Sequence, residues 1–129
     1  MRLGYVIMYV RDIQETVVFY EKAFGLKRRF IHESGAYAEM ETGTTALAFV
    51  DEKFVKDSLH FRPNRHSEDA AGIEISLVTD HVEQQFDKAI KAGAISVVKP
   101  IQKPWGQIIS YVRDNNGCLV EICSPIEGS

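Results

Sequence analysis

Two carboxylates stand inside apolar, strand-forming runs of the sequence. Glu121 lies between Val120 and Ile122 near the end of the chain, and Glu74 lies in the run GIEISLV. An ionised carboxylate that is buried without a partner is costly, so each must face water or a polar site. If both reach one site a few ångströms apart, one pKa rises and the two form a general acid–base pair. A wet face of a half-buried strand is the alternative that period-two alternation allows.

The four histidines do not add a metal-ligand pattern to these carboxylates. They are His32, in an early strand, His60 and His66, in a polar segment, and His81, close to the start of a helix. None has the spacing of a ligand pair such as i, i+4 on one helix. His60 lies in a segment that is able to reach a binding site, but we interpret it as a solvent-exposed side chain.

Composition limits the class of protein. With 129 residues the chain fits one compact domain, for which roughly 100–150 residues are usual. Its net charge of −3 gives no basic surface for nucleic acid, and no apolar run approaches the roughly 20 residues of a membrane helix. Cys118 and Cys123 face opposite sides of one strand, so we expect two free thiols, as in a reducing compartment. The cytoplasm is therefore the expected location, with neither nucleic acid nor membrane as a partner.

The elements that position the carboxylates occur twice along the chain. The first set begins with an apolar strand at residues 3–10 and a helix that Asp12 caps, with Glu15 three residues on. Gly25 ends this helix, and three short strands follow, separated by glycine-bearing turns. They are predicted at residues 26–34, 36–41 and 44–50.

The second set repeats this order. A strand at residues 72–78 precedes a helix that Asp80 is predicted to cap and Gly93 to end. The last three predictions are a strand beginning at residues 95–98, a loop at residues 100–106, and a closing hairpin at residues 107–112 and 118–123.

This internal repeat predicts an α+β fold of two tandem βαβββ modules in one domain of residues 1–129. The modules span residues 1–50 and 71–129, and a polar linker occupies residues 51–70. We expect a curved eight-stranded mixed sheet with the helices outside, whose concave side is a trough for a small-molecule ligand.

The sequence resembles the vicinal oxygen chelate superfamily, which includes glyoxalases, bleomycin-resistance proteins and extradiol dioxygenases. The matching segments are VRDIQETVVFYEKAFGL, the loop KPWGQ and the hairpin RDNNGCLVEI. In that hairpin the proline that many members carry is missing and Gly117 is kept. The resemblance implies a homodimer and, for an enzyme, a lactoylglutathione-lyase-like or related lyase or isomerase. It also implies that metal ligands, usually histidine and glutamate, come from the first and last strands of each module.

Only two of those ligand positions carry a carboxylate in this sequence. Tyr5 occupies the first-strand position of the first module, and its last strand offers only apolar side chains at residues 46–48. In the second module, aligning the capping aspartates places Ile73 opposite Tyr5, whereas aligning the helix faces places Glu74 there. Strand alternation favours Glu74 in the trough, and Glu121 matches the last-strand carboxylate. Because imidazoles are missing, we expect no intact metal site and no cofactor, with Glu74 and Glu121 as the weak candidates for a divalent metal.

The remaining candidate residues are predicted to contact a bound ligand rather than to take part in a reaction. Predicted ligand contacts are Tyr5, Ile7 and Tyr9 on one strand face, Ser76 beside Glu74, and Trp105 and Gln107 in the KPWGQ loop. Carboxylates and aromatic rings together favour a cationic or aromatic small molecule. The first hypothesis is therefore a metal-free, bleomycin-resistance-like binding protein. The alternative is a metal-dependent, glyoxalase-like lyase or isomerase, or a dioxygenase-related enzyme, with an atypical site.

Overall fold

The computed structural model describes residues 1–126, which divide into two compact units. The first unit is Met1–Asn64, and the second begins at Arg65. Each unit contains one helix and four strands in the order βαβββ, which confirms the predicted repeat. None of the helices in the described residues is long and apolar enough to cross a membrane.

The first unit places its helix against one face of a four-stranded mixed sheet. Its elements are β1 (Tyr5–Val10), α1 (Ile13–Phe24), β2 (Lys27–Ile31), β3 (Tyr37–Glu41) and β4 (Ala46–Asp51). The strand order is β1-β4-β3-β2, with β1 parallel to β4. The Asp12 carboxylate caps α1 by accepting a 2.8 Å hydrogen bond from the backbone N–H of Glu15, and the helix ends at Gly25 in the left-handed conformation. Both predicted helix signals are confirmed.

The second unit has the same arrangement. Its elements are β5 (Glu74–Val78), α2 (Val82–Lys91), β6 (Ile95–Gln102), β7 (Ile108–Arg113) and β8 (Leu119–Cys123). The strand order is β5-β8-β7-β6, with β5 parallel to β8. Val82, Phe86 and Ala89 form the buried face of α2, and Val112, Val120 and Ile122 are buried on the strands.

The predicted cap of α2 is wrong by one residue. His81, not Asp80, is the N-cap, and it makes no side-chain capping hydrogen bond. Val82 therefore begins its helix 69 positions after Ile13 begins α1, and Glu74 begins β5 69 positions after Tyr5 begins β1. This spacing confirms the alignment that sets Glu74 opposite Tyr5.

The predicted loop at residues 100–106 is also partly wrong, because β6 continues through Pro100 to Gln102. Proline removes a backbone donor and is tolerated in a strand mainly at sheet edges and bulges. Both conditions apply, since β6 is the edge strand of its sheet and its pairing shifts register between Val98 and Ile101.

Much of the predicted linker at residues 51–70 is folded onto one unit or the other. Glu52–Phe54 form a 3-10 turn, and the Phe61 ring stacks on Tyr9 in the first unit with centroids 4.7 Å apart. In the second unit the Arg113 guanidinium donates hydrogen bonds to the carbonyl oxygens of Arg65 and Glu68. These contacts give the connection a defined conformation in each unit.

Candidate functional site on the second sheet

Strand pairing in the second unit lines up polar side chains across β5, β8 and β7. Ser76 lies opposite Glu121, and Glu121 lies opposite Tyr111. Glu74 is two residues before Ser76, so it points to the same side of the sheet. The alternate residues Val120 and Ile122 are buried on the helix side. We call the opposite side, formed by Glu74, Ser76, Tyr111 and Glu121, the carboxylate face.

The Ser76 hydroxyl orients the Glu121 side chain by donating a short hydrogen bond to Glu121 Oε1. Tyr111 lies opposite Glu121 on β7 and interacts with this carboxylate electrostatically. The Sγ of Cys123 lies 3.5 Å from Ser76 Oγ on the same side. Glu121 is half-buried, which strengthens its hydrogen bond to Ser76.

Glu74 differs from Glu121 in its proton affinity. Desolvation, and then the negative charge of Glu121, raise the pKa of the Glu74 carboxyl above its ordinary value. A neighbouring like charge has this effect because both groups cannot ionise freely. The two carboxylates therefore share one face, as predicted, and Glu74 keeps its proton more readily. Their role as an acid–base pair stays a prediction.

The cysteines are free thiols, as predicted, and neither is set up as a nucleophile. Both are buried. Desolvation raises the pKa of Cys118 to about 12, and desolvation is also the main cause of the raised pKa of Cys123. A thiol needs a lowered pKa to be reactive near neutral pH, so covalent chemistry at Cys123 is not supported.

The titration of Tyr111 reports the charge of Glu121, which lies opposite it on β8. Desolvation and then the interaction with Glu121 raise the pKa of Tyr111 to about 12. We expect Glu121→Gln to move this pKa down toward its ordinary value near 10, because the charge is removed. Titration of the tyrosine ring by NMR measures the change. Serine in place of Cys118 is the control and should leave the Tyr111 titration unchanged.

The raised pKa of Tyr111 also makes the stability of the protein depend on pH. Unfolded tyrosine titrates near 10, so between about pH 10 and 12 the folded protein holds a proton that the unfolded chain has lost. The contribution of Tyr111 to stability is therefore complete below pH 10 and is lost as the pH rises toward 12.

The KPWGQ loop is connected to this face through Gln107. Trp105 Nε1 donates a 3.0 Å hydrogen bond to the Gln107 side-chain oxygen, and Gln107 Nε2 donates to the Ser124 carbonyl at 2.9 Å. Ser124 directly follows Cys123, whose thiol lies near Ser76. The Trp105 side chain is 57% exposed, so its ring is available for contact.

The predicted contacts from the first unit lie on the side of its sheet opposite α1. Tyr5 and Ile7 are 58% and 43% exposed there. Tyr9 differs, because its ring is half-buried and stacks on Phe61. The Tyr9 ring therefore packs within the first unit, and its role as a ligand contact stays a prediction.

A second polar cluster, on this same side of the first sheet, was not predicted. The buried Glu39 carboxylate accepts hydrogen bonds from Arg29 Nη1 at 3.0 Å and from the Tyr37 hydroxyl at 2.6 Å. Arg29 also forms a bidentate pair with Glu41. Alternation in the segment AYAEME places both glutamates on one side. Arg29 reaches the two glutamates because the pairing of β2 with β3 shifts register between Arg28 and Phe30. This shift could not be predicted from the sequence.

The chain contains a matched pair of arginines that tests this cluster. We expect Arg29→Met to lower Tm by several degrees, because it removes the cation that balances the buried Glu39. Arg28→Met should lower Tm by about one degree or less, since the Arg28–Glu21 pair lies at the surface, with the Arg28 side chain 41% exposed. Thermal unfolding followed by circular dichroism gives both values. Equal losses in the two variants would contradict a stabilising role for the Glu39 contact.

The donors around Glu121 do not fit the metal site that the resemblance implies. Within residues 1–126, no three His, Cys, Asp or Glu side chains are arranged to hold a metal ion. The carboxylate face offers carboxylates, a hydroxyl group and a phenol, and no imidazole. His32 instead hydrogen-bonds Ser34 in a turn of the first unit. This set lacks the nitrogen ligands that hold nickel or zinc.

Comparison with known proteins identifies the fold and the family. Residues 3–127 match the profile of the glyoxalase-like domain family. A glyoxalase-related enzyme from Fulvimarina pelagi is similar in structure, with a TM-score of 0.81 and 16% identity over 97% of this chain and 88% of that chain. A glyoxalase/bleomycin resistance protein/dioxygenase family enzyme from Burkholderia phytofirmans PsJN gives a TM-score of 0.73 and 19% identity over 96% and 98%.

A third similar structure is a member of the glyoxalase/bleomycin resistance protein/dioxygenase superfamily from Sphaerobacter thermophilus DSM 20745. Its TM-score is 0.72, with 17% identity over 97% of this chain and 98% of that chain. These likenesses confirm a vicinal oxygen chelate fold. Because the family profile spans nearly the whole sequence, the chain belongs to the glyoxalase-like domain family.

Proposed function

We propose that this protein binds a small organic cation on the carboxylate face of the second sheet, without a catalytic metal. The observation that carries the proposal is the arrangement of Glu121, which the Ser76 hydroxyl orients, with Glu74 and Tyr111 on the same face. In the described part of the second unit, no lysine or arginine forms an ion pair with either carboxylate. A ligand with a positive charge supplies the missing partner.

Charge and shape both support a cationic ligand with an aromatic part. An ammonium group near Glu74 and Glu121 relieves the repulsion that raises the Glu74 pKa. The exposed Trp105 ring, which Gln107 connects to the end of β8, adds a surface for stacking or cation–π contact. The function is therefore binding, in the manner of bleomycin-resistance proteins, rather than metal-assisted isomerisation.

Calorimetry with simple probes tests this function. The protein is treated with a chelator and titrated with ethidium, a planar aromatic cation, and with benzylamine. Benzyl alcohol is the neutral counterpart of benzylamine. We expect saturable binding of the cations at a ratio of one to one, much weaker binding of the alcohol, and no change when the chelator stays present.

Two results would reject the proposal. The first is an absence of cation binding at millimolar concentration. The second is binding that appears only after nickel, zinc or manganese is added, with the metal retained at one equivalent on elemental analysis. The second result would favour the metal-dependent lyase or isomerase instead.

A further inference from the structure

The segment after β4 lines a half-open cavity in the first unit. Its volume is about 440 Å³, inside the range of roughly 300–1,000 Å³ that is usual for small-molecule sites. The lining comes only from residues 52–63, so this cavity is separate from the carboxylate face. A ligand of this cavity is therefore distinct from the cation proposed for the carboxylate face.

Several contacts give the cavity wall a fixed shape. The Asp51 carboxylate caps the 3-10 turn by accepting from the Lys53 N–H at 3.0 Å. The backbone N–H of Leu59 donates to the Val55 carbonyl at 2.8 Å. At the far end, Phe61 stacks on Tyr9 and thereby attaches the segment to β1. Because hydrogen bonds and a ring contact hold the segment along its length, the cavity is largely formed before binding.

The lining divides into an apolar wall and a basic group. Leu59, Phe61 and Pro63 form the apolar wall, and the Leu59 side chain is 46% exposed. A large aliphatic side chain gains free energy when a ligand removes it from water.

The basic group consists of Lys53, Lys56 and His60, against the single carboxylate of Glu52 in the same lining. Among the described residues, neither lysine forms an ion pair. The positive charge of the two ammonium groups is therefore available to a ligand.

We propose that this cavity is a binding site for a small amphiphilic anion, a monocarboxylate with an apolar chain or ring. The carboxylate lies between the ammonium groups of Lys53 and Lys56, and the apolar part lies against Leu59 and Phe61. This assigns opposite ligand charges to the two units, since the carboxylate face in the second unit takes a cation.

NMR titration of the ¹⁵N-labelled protein with decanoate tests the site, with decanol as the neutral counterpart. We expect decanoate to shift the amide signals of residues 52–63, and decanol to shift them much less at the same concentration. Lys53→Gln combined with Lys56→Gln should weaken decanoate binding roughly tenfold, because two charge contacts are lost. Both side chains are exposed, so the variant should fold normally.

A matched variant distinguishes the loss of charge contacts in the cavity from a change in the net charge of the protein. Lys88→Gln combined with Lys91→Gln removes the same charge from the exposed side of α2 and should leave decanoate binding unchanged. Equal weakening in both double variants would overturn the proposal, as would decanoate shifts that map to β5 and β8. Binding to phosphatidylglycerol vesicles without binding of free decanoate would also overturn it, because the ligand would then be a lipid surface.

Discussion

Replacing Gly117 with alanine is expected to destabilise the protein by about 2–4 kcal/mol. Gly117 has φ +89°, a left-handed conformation that residues with a Cβ adopt at a cost. A Cβ built there would also lie 2.7 Å from Arg113 Nη2 and 2.8 Å from the carbonyl oxygen of Arg65. Both distances are too short for real contacts. The backbone carbonyl cannot rotate away as a flexible side chain can.

A second glycine provides the control for this prediction. Gly106 has φ +92°, but a Cβ there would meet no atom within 4 Å. Gly106→Ala should therefore cost only the conformational strain, about 1 kcal/mol. Chemical denaturation of both variants measures the difference. Equal losses of unfolding free energy would show that the turn relaxes, and that the contact between the Gly117 turn and Arg65 is not tightly packed.

The tight packing at Gly117 explains how the closing turn works without the family's usual proline. The Asp114 carboxylate accepts hydrogen bonds from the backbone N–H groups of Asn116 and Cys118, at 2.8 and 2.9 Å. Arg113 then donates to the Gly117 carbonyl at 2.8 Å. Side-chain hydrogen bonds therefore restrict the backbone where a proline ring would otherwise do so.

The sequence predicted the elements well because hydrophobic periodicity and glycine placement are local properties. Asp12 and Gly25 mark both ends of α1, and the repeat of this pattern predicts the second unit. One error, at residues 100–102, occurred where pairing with a neighbouring strand decides the outcome. Pro100 is expected to interrupt a strand, and only the edge position and register shift of β6 make it acceptable.

The candidate site likewise combines residues that sequence patterns predict with residues whose positions depend on strand pairing. Alternation placed Glu74 and Ser76 on one face, and the family resemblance added Glu121 to it. Tyr111 was missed, because its contact with Glu121 depends on how β7 pairs with β8, and a single sequence does not give that register. Arg29 was missed for a related reason, since a bulge turns its side chain.

Glu121→Gln is expected to lower the affinity for ethidium and benzylamine by roughly 10- to 100-fold. The amide keeps the size of the carboxylate but removes the charge that the Ser76 hydroxyl orients. Calorimetry at pH 7.5 measures the change. Glu83→Gln, on the exposed side of α2, removes the same net charge and should have little effect.

Glu74→Gln should have a smaller effect on affinity and should change its dependence on pH. In the wild type the raised pKa of Glu74 means that some of this carboxyl is protonated at a pH where an ordinary glutamate is ionised. A cation binds better to the ionised form, so affinity should rise with pH as Glu74 ionises, above the range where an ordinary glutamate does so, and then level off. Glu74→Gln should remove this rise while Glu121 continues to bind the ligand. A pH profile identical to that of the wild type would mean that Glu74 does not contact the cation, and the site would then consist of Glu121 with its neighbours Ser76 and Tyr111.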